Sequence, residues 1–257
     1  MKFIILGCGS SMGVPRPDGF FGGCDPKEKK NYRTRCSALI KSNNQNILID
    51  SSPDLRQQLL RHKIKNIDTV LYSHMHADQT HGINDLRTFY ILRKKPIDVF
   101  ADQVTSLYLK KTFSYCFNKT SKIYPAILNL KRVKKNLFIN KNNIKINIKS
   151  IKVKHGIVES ICYIINRKLA YISDVNEIYK KDFCHFLGLD YLIIDCLWNR
   201  DEHPSHFNLE KALNIIKLFS PKKAILTNLH TDLDYVKLKK ILPKNITPAY
   251  DGLTLNL

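Results

Sequence analysis

No run of about 18 apolar residues, the length that a membrane-spanning helix needs, occurs in this sequence. The apolar stretch at the N-terminus, Met1 to Gly7, is too short for the core of a signal peptide and instead favours a first strand. The sequence therefore predicts a cytoplasmic protein that has no membrane partner.

Cysteine is present, but its pattern does not indicate a disulfide framework. The seven cysteines are odd in number and scattered, at positions 8, 24, 36, 116, 162, 184 and 196. In a chain without an export signal, this pattern is typical of reduced thiols in a cytoplasm.

Acidic residues are scarce as well. The chain has 22 acidic residues against 42 basic ones, which gives a formal net charge of +20. Such an excess is typical of proteins that bind nucleic acid or phosphate. However, lysine, isoleucine and asparagine are abundant everywhere, including the turn Asn140–Asn143, which indicates a compositional bias of the source. We retain nucleic-acid binding as a secondary hypothesis and expect the densest basic run, Lys27–Arg35, to form a solvated or anion-facing loop.

The chain is long enough for a large core. Its 257 residues, 44% of them hydrophobic, can form two average domains or one large α/β domain. Apolar runs predict strands at residues 2–6, 36–41, 46–50, 68–72, 97–101, 143–153, 161–165, 169–172, 191–195, 224–229 and 250–257. Spacing and capping predict helices at 52–61 with Ser52 as N-cap, at 83–92, from Asp102 to about 111, after Asp174, and at 209–219 behind Asn208. Residues 113–135 fit neither pattern.

The segment Ser73–Gly82 holds the densest cluster of metal-binding side chains. It follows a predicted buried strand and contains three imidazoles and one carboxylate. A neutral imidazole suits Zn, Mn or Fe, and a carboxylate adds a hard anionic oxygen. On a tight turn, His74 and His76 can face one ion while Asp78 faces a neighbouring ion.

Other acids and imidazoles also follow predicted strands. Sites in α/β proteins usually lie at such strand ends, although any single residue there is more often a cap or turn residue than a ligand. Together these residues supply enough ligands for two metals. The residues are Asp50, His74, His155, Asp174, Asp195 and His230. The Gly/Ser turn Gly7–Gly13 could also approach a ligand with bare backbone.

The order His74-x-His76-x-Asp78, His155, Asp174 and His230 resembles the metallo-β-lactamase superfamily. The resemblance covers nearly the whole chain and is strongest to the branch of phosphoribosyl cyclic phosphodiesterases. It implies a four-layer αββα sandwich and a single domain over residues 1–257. The other segments that carry it are Gly7–Pro15, Arg35–Ser37, Asp50–Arg56, His81–Arg87 and His203–His206.

The resemblance implies two divalent ions, either Zn or Mn. In it, His74, His76 and His155 hold the first ion, Asp174 bridges, and Asp78 with His230 holds the second. The usual motif continues Asp-His, whereas this chain has Gln79, which can coordinate only through a neutral amide oxygen. The second site is therefore expected to be weaker, with His81 as a compensating or more distant residue. Since the first loop offers only Cys24 before Cys36, the structural zinc that some relatives carry near this loop is not expected.

The resemblance also implies a mechanism. Two ions about 3.5–4 Å apart deprotonate a bridging water and place hydroxide in line with phosphorus. The predicted catalytic residues are Asp78 and His206, the latter as proton donor to the leaving oxygen. His203 is the substitute donor and a predicted substrate-binding residue. Arg87 is predicted to bind phosphate, as is Arg35, although either can equally be a structural ion-pair partner.

These features favour a metal-dependent hydrolase, a phosphodiesterase acting on a small or cyclic ribose phosphate. One alternative is an RNA-processing nuclease resembling tRNase Z, although no Gly-rich inserted arm for tRNA is found. The other is a non-hydrolytic protein of cofactor biosynthesis, resembling the pyrroloquinoline-quinone branch, or a binding protein. The expected partner is a small phosphodiester substrate, and a homodimer is retained as one assembly.

Overall fold

The computed structural model describes residues 1–42, 45–119, 121, 124–141 and 144–257, and its strands form two seven-stranded sheets. The strands are β1 (Lys2–Gly7), β2 (Ser37–Ser42), β3 (Gln45–Ile49), β4 (Thr69–Leu71), β5 (Ile97–Ala101), β6 (Leu128–Arg132), β7 (Asn136–Lys141), β8 (Ile144–His155), β9 (Val158–Ile165), β10 (Leu169–Ile172), β11 (Tyr191–Asp195), β12 (Lys223–Thr227), β13 (Ile246–Pro248) and β14 (Thr254–Asn256). The α-helices are α1 (Leu55–Arg61), α2 (Ala77–Thr80), α3 (Arg87–Arg93), α4 (Gln103–Thr112), α5 (Ser114–Phe117), α6 (Leu209–Phe219) and α7 (Tyr235–Ile241). Short 3₁₀ turns lie at Lys29–Asn31, Ile83–Leu86 and Lys180–His185.

Each sheet combines an antiparallel end with a parallel end. The first sheet has the order β14-β1-β2-β3-β4-β5-β6, and its strands are parallel from β3 onward. The second sheet has the order β13-β12-β11-β10-β9-β8-β7, and its strands are parallel from β10 to β13. Two antiparallel steps make β8 run in the same direction as β10. The carboxyl ends of β8, β10, β11 and β12 therefore share one edge, where ligand sites form in parallel sheets.

Three apolar clusters account for the layers. One lies between the sheets and includes Phe3, Ile5, Tyr163 and Ile225. A second joins the first sheet to α1, α3, α4 and α5, and a third joins the second sheet to α6 and α7. Helices thus cover the outer faces of two stacked sheets, and the predicted four-layer αββα sandwich is confirmed.

Helix α6 shows how the sequence specifies one of these layers. Asn208 accepts a hydrogen bond from the backbone N–H of Lys211, a cap worth about 1 kcal/mol. Ala212, Ile216 and Phe219 are buried at helical spacing on one face. Replacing the fully buried Phe219 with Ala should destabilise the chain by about 3–5 kcal/mol.

Several local predictions need correction. Helix α1 begins after Asp54 instead of Ser52, because the Ser52 hydroxyl accepts the Asp54 N–H in a turn that precedes the helix. The helix predicted after Asp174 is replaced, in the described chain, by the 3₁₀ turn Lys180–His185. The predicted strand start at Asn143 lies outside the described residues.

In the described part of the chain, no helix is long and apolar enough to cross a membrane. The single domain over residues 1–257 stays a prediction.

Candidate metal centre

The loop after β4 is held from both sheets. The Asp50 carboxylate accepts the backbone N–H of Ser73 at 2.7 Å, and the Ser73 carbonyl accepts the N–H of Ile161 from β9 at 2.9 Å. The Tyr163 hydroxyl, also on β9, donates to the carbonyl of Tyr72 at 2.7 Å. Because the loop is hydrogen-bonded on both sides, the position of the next residue, His74, is fixed relative to the second sheet.

Three imidazoles converge at this edge. Nε2 of His74 lies 3.0 Å from Nδ1 of His76, and Nε2 of His155 lies 3.2 Å from that same atom. His74 and His155 are buried, whereas His76 is exposed. The two histidines that the motif predicted on the turn are thus joined by one from the end of β8.

The orientation and charge state of these rings fit a cation. Nδ1 of His155 donates to the Ser205 carbonyl at 2.6 Å, and the Ser73 hydroxyl lies 3.0 Å from Nδ1 of His74, so both rings turn Nε2 inward. Burial lowers the pKa of His74 to about 3, and partial burial of the His76 ring, followed by the nearby His155, lowers the pKa of His76. Neutral rings, oriented by partners on their outer nitrogens, are the form that binds divalent metals. These three residues fit a metal ion.

Beside the imidazoles, a buried amide lies between two carboxylates. Nε2 of Gln79, fully buried, donates to Asp78 at 3.1 Å and to Asp174 at 3.2 Å. Burial and the neighbouring Asp174 raise the pKa of Asp78, whereas His74, His155 and His206 overcome the effect of burial and lower the pKa of Asp174. The Gln79 amide thus supplies N–H hydrogens where a second ion would supply charge.

The residues predicted for a second ion are less completely assembled than the imidazoles, and the second ion stays a prediction. Gln79 presents its nitrogen to the carboxylates, while its buried Oε1 has no partner among the described residues. Nδ1 of His230 lies 3.2 Å from the Thr231 hydroxyl and 3.5 Å from Asp232. In the described chain, the groups with three metal-binding atoms within 4.8 Å of one another are His74, His76 and His155, and His155, Asp174 and His206.

His206 forms an ion pair with a buried carboxylate at the end of β11. Its Nδ1 lies 2.7 Å from Oδ2 of Asp195, which is fully buried. Burial would lower the pKa of His206, but Asp195, by charge and hydrogen bond, and then Asp174 raise it to about 9. His206 is therefore protonated near neutral pH, and its Nε2 remains for another partner.

Asn228 links the two carboxylates around His206. Its Nδ2 donates to Asp195 at 3.2 Å and lies 3.4 Å from Asp174. The residue is buried and has a φ of 62°, a left-handed conformation that asparagine tolerates better than most residues. Sequence reasoning missed Asn228, which lies inside the predicted strand 224–229, and treated Asp195 only as one of several strand-end residues that could bind metal.

His76, His155, Asp78, Asp174, His206, Asn228 and His230 line a cavity of ≈ 280 Å³. Its wall also includes Ser10 and Met12, on the Gly/Ser turn that was expected to approach a ligand, and Trp198, which sequence reasoning did not assign. His203 lines it too, with its ring centroid 5.1 Å from His206 and 4.7 Å from Trp198. Among the described residues, no lysine or arginine lines this cavity, so the ionisable groups at its wall are histidines and the carboxylates of Asp78 and Asp174.

Three other predicted residues lie apart from the cavity. Arg87 is exposed at the start of α3, with its guanidinium 5.9 Å from the Tyr124 ring centroid. Arg35 forms a bidentate ion pair with Asp54 at 2.8 and 2.7 Å, which matches the structural alternative for that residue. His81 is exposed, and its Nε2 lies 2.8 Å from the Tyr108 hydroxyl. The assignment of Arg87 to substrate binding stays a prediction.

Comparison with known families and structures places this geometry in context. The family described as "Beta-lactamase superfamily domain" matches residues 45–228. A crystal structure of a diphosphatase from the PhnP family is 29% identical, with a TM-score of 0.87 over 100% of this chain and 97% of that one.

More distant structures share the fold alone. Zn²⁺-bound PqqB from Methylobacterium extorquens is 16% identical, with a TM-score of 0.77 and full coverage of both chains. Human tRNase Z, short form, is 15% identical, with a TM-score of 0.69 over 100% of this chain and 99% of that one.

A curated relative from Porphyromonas gingivalis, named octanoyltransferase, is 32% identical over 256 residues. The match covers 98% of this chain and 51% of that protein, so the chain spans about half the length of the curated relative.

Proposed function

Since this chain belongs to the beta-lactamase superfamily, we propose that it is a metal-dependent phosphodiesterase acting on a small or cyclic ribose phosphate. The observation that carries the proposal is the convergence of the His74, His76 and His155 imidazoles beside His206, which pairs with the Asp195 carboxylate at the wall of one small cavity. The 29% identity to a PhnP-family diphosphatase supports phosphoryl chemistry. The curated relative named octanoyltransferase is about twice as long as this chain, and its name does not say which half transfers the octanoyl group.

The residues divide the proposed work between them. His74, His76 and His155, with Asp174 beside them, would hold one divalent ion. Such an ion supplies a Lewis acid for a phosphoryl oxygen and lowers the pKa of water in the cavity. Zn or Mn would suit imidazole and carboxylate ligands.

His206 is the proposed proton donor. During hydrolysis, a water oxygen forms a bond to phosphorus while the bond from phosphorus to the ribose oxygen breaks. The departing alkoxide needs a proton, and Nε2 of the protonated His206 can supply it because Nδ1 is bound to Asp195. Asp195 and Asn228 hold the ring in place, so we regard them as positioning residues. The catalytic role of Asp78 stays a prediction.

The size of the cavity favours a small substrate. A volume of ≈ 280 Å³ lies near the lower end of the range for ligand sites, about 300–1,000 Å³. Trp198 and His203, at the wall of the cavity, offer flat faces beside His206 for the organic part of a substrate.

A substrate panel tests the proposal. Purified protein loaded with Zn or Mn should hydrolyse bis-p-nitrophenyl phosphate and a cyclic ribose phosphate faster than it cleaves a precursor tRNA or a nucleoside diphosphate. A chelator should stop the reaction, and added metal should restore it. Preferred cleavage of the precursor tRNA would support the nuclease alternative, and inertness of the metal-loaded protein toward all four would support a binding protein.

A further inference from the structure

The outer face of the second sheet is unevenly covered. Helices α6 and α7 contact β11 and β13 at one end of the sheet. At the other end, the face over β8 and β9 opens into two clefts beside the 3₁₀ turn Lys180–His185. The clefts measure ≈ 480 and ≈ 490 Å³ and share His185 as a common wall. Both are larger than the cavity of the candidate metal centre.

Cations line both clefts, which together we call the basic groove. The lining cations are Lys149 and Arg167 in the first cleft, and Lys134, Lys135, Lys152 and Lys181 in the second. Asp182 is the acidic residue among the described residues that line them. Lys152 pairs with Glu159. Among the described residues, the other five cations form no salt bridge: Lys134, Lys135, Lys149, Arg167 and Lys181.

At the centre of the groove, His185 lies beside Lys149 and close to other cations. Nζ of Lys149 lies 3.3 Å from each ring nitrogen of His185. Burial lowers the pKa of His185, and the charges of Lys149, Lys135 and Arg167 add to that effect against the opposing Asp182. A bound anion would offset this concentration of positive charge.

We propose that the basic groove binds the phosphate backbone of a nucleic acid. The cations are spread along two adjoining clefts instead of converging on one point, which suits an extended anion better than a single phosphate. Besides His185, no aromatic side chain lines the groove in the described chain, so bases have little to stack on and the contact is to the backbone. Protein interfaces are poor in lysine and rich in aromatic residues, which argues against an acidic protein as the partner.

The groove is separate from the metal centre. Lys149 precedes His155 by six residues in β8, a distance of about 20 Å along a strand that rises about 3.3 Å per residue. Binding in the groove therefore does not depend on the proposed phosphodiesterase activity, and either proposal can fail without the other.

Fluorescence anisotropy with a labelled single-stranded oligouridylate tests the groove in the full chain. The double variant Lys149→Glu, Arg167→Glu should bind at least about tenfold more weakly than wild type. Loss of two phosphate contacts should reduce the slope of log affinity against log salt by about 1.4, at about 0.7 per contact. The matched control Lys95→Glu, Lys110→Glu makes the same change of charge at exposed positions on the first-sheet side and should bind within about twofold of wild type.

Three results would overturn the proposal. An equal loss in the control pair would show that binding follows net charge and not the groove. Displacement of the RNA by uridine monophosphate at the same phosphate concentration would assign the groove to small phosphates. Equal displacement by poly-glutamate would assign it to an acidic protein. Thermal unfolding verifies that each variant is folded. If the first pair does not fold, the replacement is a pair in the second cleft, Lys134→Glu with Lys181→Glu.

Discussion

The two sides of the central cavity are built from similar side chains but neutralised in different ways. On one side, Nε2 of His74 and Nε2 of His155 lie 3.0 and 3.2 Å from Nδ1 of His76, an arrangement that a cation would stabilise. On the other, Gln79 already donates N–H hydrogens to Asp78 and Asp174. The comparison teaches that ligand-type residues at one sheet edge do not by themselves make an ion site, because a neighbouring amide can satisfy the same carboxylates.

Asp174 belongs to both sides, so its loss should have the largest effect. In Asp174→Ala, Gln79 loses an acceptor and the imidazoles lose the carboxylate that stabilises a nearby cation. Turnover should fall below about a hundredth of wild type, since such a ligand is worth several kcal/mol. Metal content should also fall while circular dichroism shows a folded chain. The control Asp190→Ala removes a carboxylate that does not line the cavity and should behave like wild type. A rate above a tenth of wild type in Asp174→Ala would disprove the assignment.

His206 differs from the residues on both sides of the cavity because its proposed contribution is a proton and not a metal ligand. His206→Ala should lose about 10²–10⁴ in rate on a cyclic ribose phosphate, whose alkoxide needs the proton. On bis-p-nitrophenyl phosphate the loss should be mild, because p-nitrophenolate departs without help. Asp195→Asn should give the same pattern at smaller size, since it removes the charge that keeps His206 protonated.

Metal analysis provides the control for that experiment. The metal content of His206→Ala should equal that of wild type. An accompanying loss of metal would make His206 a ligand, which its position near His155 and Asp174 allows. Equal rate losses on the two substrates would leave it a binding or structural residue.

Gln79→His should convert the second side into an ion site. An imidazole at this position would remove the N–H hydrogens shared by Asp78 and Asp174 and offer a nitrogen ligand. Elemental analysis should then find an additional ion per chain. The control Gln79→Asn, which shortens the side chain without adding an imidazole, should gain no ion. An unchanged ion count in Gln79→His would argue that His230 is too far from the carboxylates to assist.

Arg87→Ala should have the smallest effect, because Arg87 is exposed and lies on neither side of the cavity. The KM for a cyclic phosphate should change by no more than about twofold, as expected for a surface substitution. A rise of tenfold or more with kcat unchanged would restore Arg87 to substrate binding.

Sequence patterns predicted more of the fold than of the site. The strand Tyr191–Asp195, the helix Leu209–Phe219 and the cap Asn208 were all predicted, because periodicity and capping are local properties of the chain. The local motif predicted that His74 and His76 face one ion, whereas the addition of His155 to them followed from the resemblance.

The partner of each site residue could not be predicted. Which carboxylate Arg35 would pair with, or which atom of Gln79 would face Asp174, depends on how elements distant in sequence pack together. The same holds for Asn228, whose amide reaches Asp195 from a different strand.

A zinc count tests the contrast between the two sides most directly. The protein is equilibrated with excess zinc, passed through a desalting column and submitted to elemental analysis together with His74→Ala. We predict one retained zinc per wild-type chain and none in the variant, because three imidazoles converge on one side, whereas the Gln79 amide already bridges the carboxylates on the other. Two zinc ions retained by wild type, or one retained by His74→Ala, would contradict the account.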